Sequence, residues 1–314
     1  MRILVTGATG FVGSRLVETL KELGHDVVGT TRRGSQNTDG LVDIGDISAT
    51  TDWSRVLEGC DAVVHTAGRA HILKDSAADK LSAFRQVNCD ATLKLAHDAQ
   101  MAGVTHFIFI SSIGVNGNAT SDTPFSEKSI PKPVSDYALS KYEAEQKLNE
   151  AFSSGQMAIT VIRPALICGE NAPGNVRRLL KLVASGLPLP FKGIKNKRSM
   201  VSLENVVNFI ATCLSDPRSK NQLFVLADKD KPSTEGIVRS FADGMSKSPR
   251  VFWFPVSILK FLLVLTGRKN IYEQLFGSLD IDASYASELL GWHQPVTLSE
   301  TMKKTAKYYI KGDQ

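Results

Sequence analysis

The chain has 314 residues, which at roughly 150 residues per domain allows about two lobes. Hydrophobic residues make up 42% and charged residues 22%, a balance that excludes disorder, a collagen-like fibre, a disulfide scaffold and a polytopic membrane protein. The 37 basic against 32 acidic residues leave a net +5, too mild a charge to imply a nucleic-acid partner.

In chain order, five short apolar runs mark the first half: RILVT (2–6), DVVGT (26–30), AVVHT (62–66), HFIFIS (106–111) and AITVIR (158–163). Runs of this kind bounded by Gly or Asp fit parallel strands buried on both faces. Helical patterns lie between them at Phe11–Leu23, Ala77–Met101 and Val134–Phe152. The alternation predicts an α/β fold with a Rossmann-type doubly wound parallel sheet over residues 1–170. Beyond that point Pro173, Pro188, Pro190, Pro232, Pro249, Pro255 and Pro295 break up the pattern. Residues 171–314 read as a smaller mixed α/β substrate lobe, interleaved with the first.

Cys60, Cys89, Cys168 and Cys213 lie far apart with no CxxC pair, which fits a reducing compartment and no zinc site. The start of the chain, Met1 to Val5, runs straight into a glycine-rich turn with no signal-peptide pattern, so a cytoplasmic location is expected. The apolar run Val251 to Leu265 is too short to span a bilayer and is interrupted by Pro255 and Lys260. It reads as a helix packed within the protein, with peripheral contact at a membrane surface as the alternative.

The first strand leads into Thr6-Gly7-Ala8-Thr9-Gly10-Phe11-Val12-Gly13 and then a helix. Glycines spaced by three allow a tight turn, close backbone approach to a pyrophosphate and close helix–strand packing, while the helix N-terminus offers N–H groups to the phosphates. Without a ligand the same residues would be a structural strand–turn–helix. The second strand ends in Thr31-Arg32-Arg33, where an NAD site usually carries Asp or Glu. Two guanidinium groups suit a 2′-phosphate, which favours NADP(H) over NAD(H); the plainer reading is solvated loop charges. Asp46 and Ile47 follow a short strand and could bracket an adenine. Tyr137 and Lys141 stand one helical turn apart on one face, and Ser111 and Ser112 close the strand HFIFI at the sheet's carboxyl edge.

These motifs together resemble the extended short-chain dehydrogenase/reductase superfamily, in its NAD-dependent epimerase/dehydratase branch. The matching segments are TGATGFVG (6–13), GDI (45–47), HTAG (65–68), VN (87–88), SSIGVNG (111–117), YALSK (137–141) and IRPALICG (162–169), continued by RSMVSLENVV (198–207) and DIDASYASELLGW (280–292). Within the branch the likeness is to bacterial nucleotide-sugar 4-epimerases and 4-ketoreductases of surface-polysaccharide synthesis. Asn116 stands where VYG is commoner than VNG, and Cys168 replaces the usual Tyr before Gly169.

The resemblance implies Tyr137 as general acid/base, Lys141 as its electrostatic partner and ribose ligand, and Ser112 as the group that holds a sugar C4 oxygen. It adds Ala67, Gly68, Asn88, Ser111 and Pro164 to the cofactor site, with Asn88 positioning Lys141 through water, and Asn175 and Arg198 to a diphosphate site. It also implies a homodimer built on helices like 77–101 and 134–152. The family's 4,6-dehydratases carry Thr-Asp-Glu where this chain has Ser112-Ile113-Gly114, so elimination of water is not expected. What remains is reduction of a 4-keto nucleotide sugar, the reading that Thr31-Arg32-Arg33 favours, or 4-epimerisation with bound NAD. A nucleotide-sensing regulator on the same fold is the non-enzymatic alternative. From Asn171 to Leu203 there are seven basic residues and no acidic one, a charge distribution suited to a diphosphate. Arg177, Arg178 and Lys181 read rather as a solvated helix face.

Overall fold

The computed structural model describes residues 1–32, 40–70, 79–153, 155–266 and 269–312. Its strands are β1 (Arg2–Thr6), β2 (Asp26–Thr31), β3 (Leu41–Asp43), β4 (Ala62–His65), β5 (His106–Ile110), β6 (Ala158–Pro164), β7 (Leu166–Cys168), β8 (Met200–Ser202) and β9 (Leu223–Leu226). The first half contributes helices α1 (Phe11–Glu22), α2 (Ser54–Leu57), α3 (Lys80–Arg85), α4 (Ala91–Met101) and α5 (Asp136–Phe152). The second contributes α6 (Gly174–Ala184), α7 (Leu203–Ser215), α8 (Thr234–Gly244), α9 (Val256–Leu265), α10 (Lys269–Phe276), α11 (Ser284–Leu290) and α12 (Leu298–Gly312).

Seven strands form one parallel sheet in the order β3-β2-β1-β4-β5-β6-β9, while β7 and β8 pair apart from it. Val5 lies opposite Gly29 on one side and Val64 on the other, so the order reverses at β1 and a crevice opens at the carboxyl edge there. The apolar runs foreseen in the sequence are these strands, and β5 is buried along its whole length. Successive β1 side chains serve opposite faces: Ile3 and Val5 pack with Leu16, Leu20 and Phe209, and Leu4 packs with Trp53, Leu95 and Phe107. Burial of Leu16 and Leu20 alone contributes about 1.5–3 kcal/mol each.

Residues 171–314 do not make a separate body. Their β9 completes the main sheet and α7 packs on α1, whereas α6, α8 and α12 close a second core around Val176, Leu180, Phe241 and Met302. The two lobes are interleaved along the chain.

Two segments differ from the sequence reading. The helix expected over 77–101 is divided by a π turn at Gln86–Asp90, and its first two residues lie outside the described ones. The π turn brings Asn88 inward, as such bulges commonly do at functional sites. The second correction concerns the run Val251 to Leu265. It forms α9, but none of the described residues between Val251 and Thr266 is buried. Trp253, Phe261 and Leu265 are 68%, 67% and 71% exposed. The helix leans on α10 instead of entering the core. Among the described residues no helix is long and apolar enough to cross a membrane.

Candidate active site

At the end of β1 the backbone of Gly7 turns into the left-handed region, with φ of +70°. A Cβ there would stand 2.9 Å from the Ala67 backbone, and one at Gly13 would stand 2.2 Å from the Gly7 carbonyl oxygen. The glycines therefore bring α1 against β1 and β4 closer than any side chain permits. Gly10 caps α1 with no side-chain acceptor, so the helix presents its first N–H groups at the crevice. Phe11 and Val12 turn their side chains into the cores and contribute backbone to the turn.

A cleft of about 500 Å³ follows this edge and gathers Gly7, Gly10, Thr31, Arg32, Asp46, Ile47, Ala67 and Gly68. Arg69 and Val87, which the sequence reading did not single out, also line it. Thr31 is buried and its hydroxyl donates to the Arg32 carbonyl at 3.3 Å. Arg32 reaches Asp46 at 3.8 Å, both largely exposed. Such a pair is worth about 0–1 kcal/mol and yields to a better anion. Arg33 lies outside the described residues. Pro164 ends β6 at the sheet's carboxyl edge, buried opposite Leu226.

The titratable groups adjoin the cleft at Gly68, beside which Lys141 lies. Ser112 caps a short 3-10 turn by accepting from the Gly114 N–H at 3.1 Å, close enough to Tyr137 for its hydroxyl to favour the phenolate. Ser135 caps α5 two residues before Tyr137, accepting from the Ala138 N–H at 3.2 Å. Phe84 meets the Tyr137 ring edge-on at 6.1 Å. Lys141 is buried. Its ammonium donates to the Ile110 carbonyl at 3.0 Å and lies 4.5 Å from the Phe109 ring centre. Burial lowers Lys141 to about 8, partly offset by the Glu145 charge. Burial also pushes Tyr137 up to about 12, with Ser112 acting in the opposite direction. Burial outweighs the lowering, so the Tyr137 phenol lies above its ordinary value.

Asn88 is buried and makes direct contacts of its own. It accepts from the Arg69 N–H at 2.8 Å and donates to the Arg69 carbonyl at 3.2 Å and the Ser140 hydroxyl at 3.0 Å. It thereby clamps the Gly68–Arg69 backbone to α5. A Cβ on Gly68 would approach Asn88 Oδ1 to 3.1 Å and Lys141 Nζ to 3.3 Å, so this stretch is a cradle that only glycine leaves open. The cradle, the α1 terminus and the buried ammonium fit a dinucleotide laid along the crevice.

Beneath lies a polar layer that the sequence reading missed. Ser111 donates to Glu145, whose carboxylate is gripped by Arg163 through Nε at 3.0 and 3.1 Å, and Arg163 Nη1 donates to Asn116 Oδ1 at 2.9 Å. Ser111 therefore ties the end of β5 to α5, and Asn116 is the far end of a buried network. The signal was in the spacing, since Glu145 follows Lys141 by one helical turn. His65 is another buried group. Thr92 donates its proton to the Asn88 carbonyl, so His65 Nε2–H donates to Thr92 Oγ1 at 3.0 Å and Nδ1 accepts from Thr6 at 2.7 Å. Burial, then the Lys141 charge, lowers His65 to about 3.

Asn175 and Arg198 come together on a cavity of about 240 Å³ walled by Leu166, Met200 and Phe241, with Gln274 and Leu275 from α10. Arg198 Nη1 donates to the Gly277 carbonyl at 3.3 Å, and burial lowers its pKa. Arg178 is exposed like Arg177 and Lys181, but it also lines the cavity and reaches Asn175 at 3.4 Å. Lys197 is paired with Asp280 at 2.9 Å. Cys168 packs against Thr305 of α12 at 3.7 Å, away from this cavity.

The sequence matches the NAD dependent epimerase/dehydratase family over residues 3–227. It is 39% identical to a UDP-glucose 4-epimerase of Vibrio cholerae, over 99% of this chain and 96% of the relative. It is 27% identical to the N-acetyl-alpha-D-glucosaminyl-diphospho-ditrans,octacis-undecaprenol 4-epimerase of Escherichia coli O157:H7, over 98% and 94%. Its fold is similar to that of a UDP-glucuronic acid 4-epimerase from Bacillus cereus, solved with UDP-glucuronic acid and NAD, with a TM-score of 0.79, 22% identity and 99% of each chain covered. With its parallel sheet, glycine turn and Ser112–Tyr137–Lys141 cluster, the chain belongs to the NAD dependent epimerase/dehydratase family.

Proposed function

We propose that this chain inverts the C4 configuration of a UDP-linked hexose, by oxidation and re-reduction at that carbon with NAD retained in the crevice. The observation that carries the reading is Ser112 acting on Tyr137, one helical turn before buried Lys141, with Ile113 and Gly114 in place of the carboxyl groups that elimination needs. One acid/base group at one oxygen suits oxidoreduction and nothing more. Near-complete coverage at 39% identity to a relative named UDP-glucose 4-epimerase supports inversion over simple reduction.

A nicotinamide bound in the crevice supplies hydride acceptance and return at C4. Tyr137 takes the C4 hydroxyl proton as the C–H bond is broken and returns it when that bond re-forms on the opposite face. Ser112 holds the oxygen in both states. Lys141, protonated below its pKa of about 8, faces the Gly68 cradle where a ribose would lie. Arg198, Arg178 and Asn175 would hold the diphosphate, and Arg198 gains because its charge is already withdrawn from water.

A second reading is kept by one observation. The end of β2 holds Thr31 and Arg32 and no carboxylate for the ribose hydroxyls, which suits NADP(H) and release of the oxidised cofactor by a 4-keto sugar reductase. Denaturing the purified protein and weighing the released nucleotide separates the two. Stoichiometric NAD, with conversion of UDP-glucose to UDP-galactose in the absence of added reductant, is expected. NADPH consumption with a 4-keto sugar and no retained nucleotide would overturn the epimerase reading. In either case Tyr137→Phe should lower turnover by about 100-fold or more while nucleotide binding persists.

A further inference from the structure

The exposed segment around α9 has no part in the chemistry above. Ile258, Phe261, Val264 and Leu265 are 48–71% exposed, and their helical positions fall within one arc of the surface. Leu259 and Leu263, on the opposite side, are half-buried where the helix meets α10. Phe252 and Trp253, just before the helix, are exposed apolar side chains as well. A patch of this kind on a protein that is otherwise well packed marks an interaction surface.

Charge identifies the partner. From Gly244 to Tyr272 the sequence contains Lys247, Arg250, Lys260, Arg268 and Lys269 and no Asp or Glu. This stretch is joined to the acid-free segment 171–203: Leu189 bridges to Val251, and the Lys192 N–H donates to the Phe252 carbonyl at 3.2 Å. Trp253 lies against Gly193 of the same loop. Lys260 stays exposed, its ammonium 5.5 Å from the Tyr272 ring centre. At the rim, Glu235 is paired with Arg239. Glu273 on α10 and Asp243, paired with Lys303, flank the stretch, so basic residues outnumber acidic ones there. A short apolar helix with an aromatic pair at one end in such a setting has the make-up of an interfacial helix on an anionic bilayer. A second copy of the chain would bring these like charges together.

We propose that α9, with Phe252 and Trp253, docks the protein on the surface of an anionic phospholipid membrane. The helix lies in the interface plane with Ile258, Phe261 and Leu265 among the acyl chains, and the basic residues meet the headgroup phosphates. Gln274 and Leu275 of the neighbouring α10 line the Asn175–Arg198 cavity, so docking brings that cavity to the bilayer surface.

The test uses the full chain and vesicles of phosphatidylglycerol with phosphatidylcholine, against phosphatidylcholine alone. Co-sedimentation with the anionic vesicles is expected, falling with salt because headgroup attraction is screened. Trp53 is buried and Trp292 half-buried, so a blue shift of emission on binding reports Trp253. The double substitution Trp253→Ser/Phe261→Ser should lose vesicle partitioning by tenfold or more, lose the blue shift, and turn over a soluble nucleotide sugar as before. Equal partitioning of the variant, no binding to anionic vesicles, or a wild-type dimer that the double substitution dissociates would each overturn the proposal. Vesicle binding is read without turnover, so it stands or falls apart from the catalytic reading.

Discussion

The buried pair Glu145–Arg163 offers a sharp test of how the site is supported. Both side chains are about 95% withdrawn from solvent, at 6% and 4% exposure, and the carboxylate also receives Ser111. Replacing Glu145 with Gln keeps the shape and removes the charge, leaving a guanidinium buried beside a neutral amide. Breaking a buried pair from one side costs about 3–5 kcal/mol. With m of about 3 kcal/mol per M urea or more, that lowers the unfolding midpoint by about 1 M. Arg163→Met should cost a similar amount, since it strands the carboxylate. Together, Glu145→Leu and Arg163→Met bury apolar groups of comparable size and leave Asn116 and Ser111 short of one partner each. The pair of changes should then cost about 2 kcal/mol, at about 1 kcal/mol for each lost bond, far below the sum of the single variants. Urea midpoints of the four proteins measure the coupling. Additive losses, or a Glu145→Gln cost below 1 kcal/mol, would refute the argument. Because the Glu145 charge raises Lys141, the Gln variant should also shift the Lys141-dependent limb of the pH–rate profile to lower pH.

Other expectations follow from single contacts. Gly13→Ala drives a Cβ to 2.2 Å from the Gly7 carbonyl, so the turn must open; dinucleotide binding should fall at least tenfold in a calorimetric titration. Arg198→Met should raise KM for a UDP-sugar with kcat little changed, since the residue lines the cavity remote from Tyr137; a kcat loss at constant KM would oppose that role. His65 stays neutral in the folded chain down to about pH 3, whereas an unfolded histidine protonates near 6.5. The unfolded state therefore binds the extra proton, and stability falls as pH drops from 6.5 toward 3, by up to about 1.4 kcal/mol per pH unit. His65→Gln should flatten the stability slope between pH 6.5 and 5, and an unchanged slope would exclude His65 as its source.

The sheet, the phosphate turn and the Tyr137–Lys141 pair were legible because each rests on local rules. Buried parallel strands need continuous apolar runs, a dinucleotide turn needs glycines at fixed offsets, and one helical turn brings residues 137 and 141 onto one face. Contacts between distant segments were not legible in this way. Nothing in SSIGVNG or IRPALICG states that Ser111, Glu145, Arg163 and Asn116 share one buried network, because their meeting depends on β5, β6 and α5 packing together. The same packing turned Asn88 onto the backbone of Arg69, held Lys141 against Ile110, and raised Tyr137 by burial. For the run Val251–Leu265 composition alone suggested interior packing. The sequence states how apolar a helix is, but whether a core lies opposite it is decided by tertiary structure. Here the cores are closed by other elements, and α9 is left facing out.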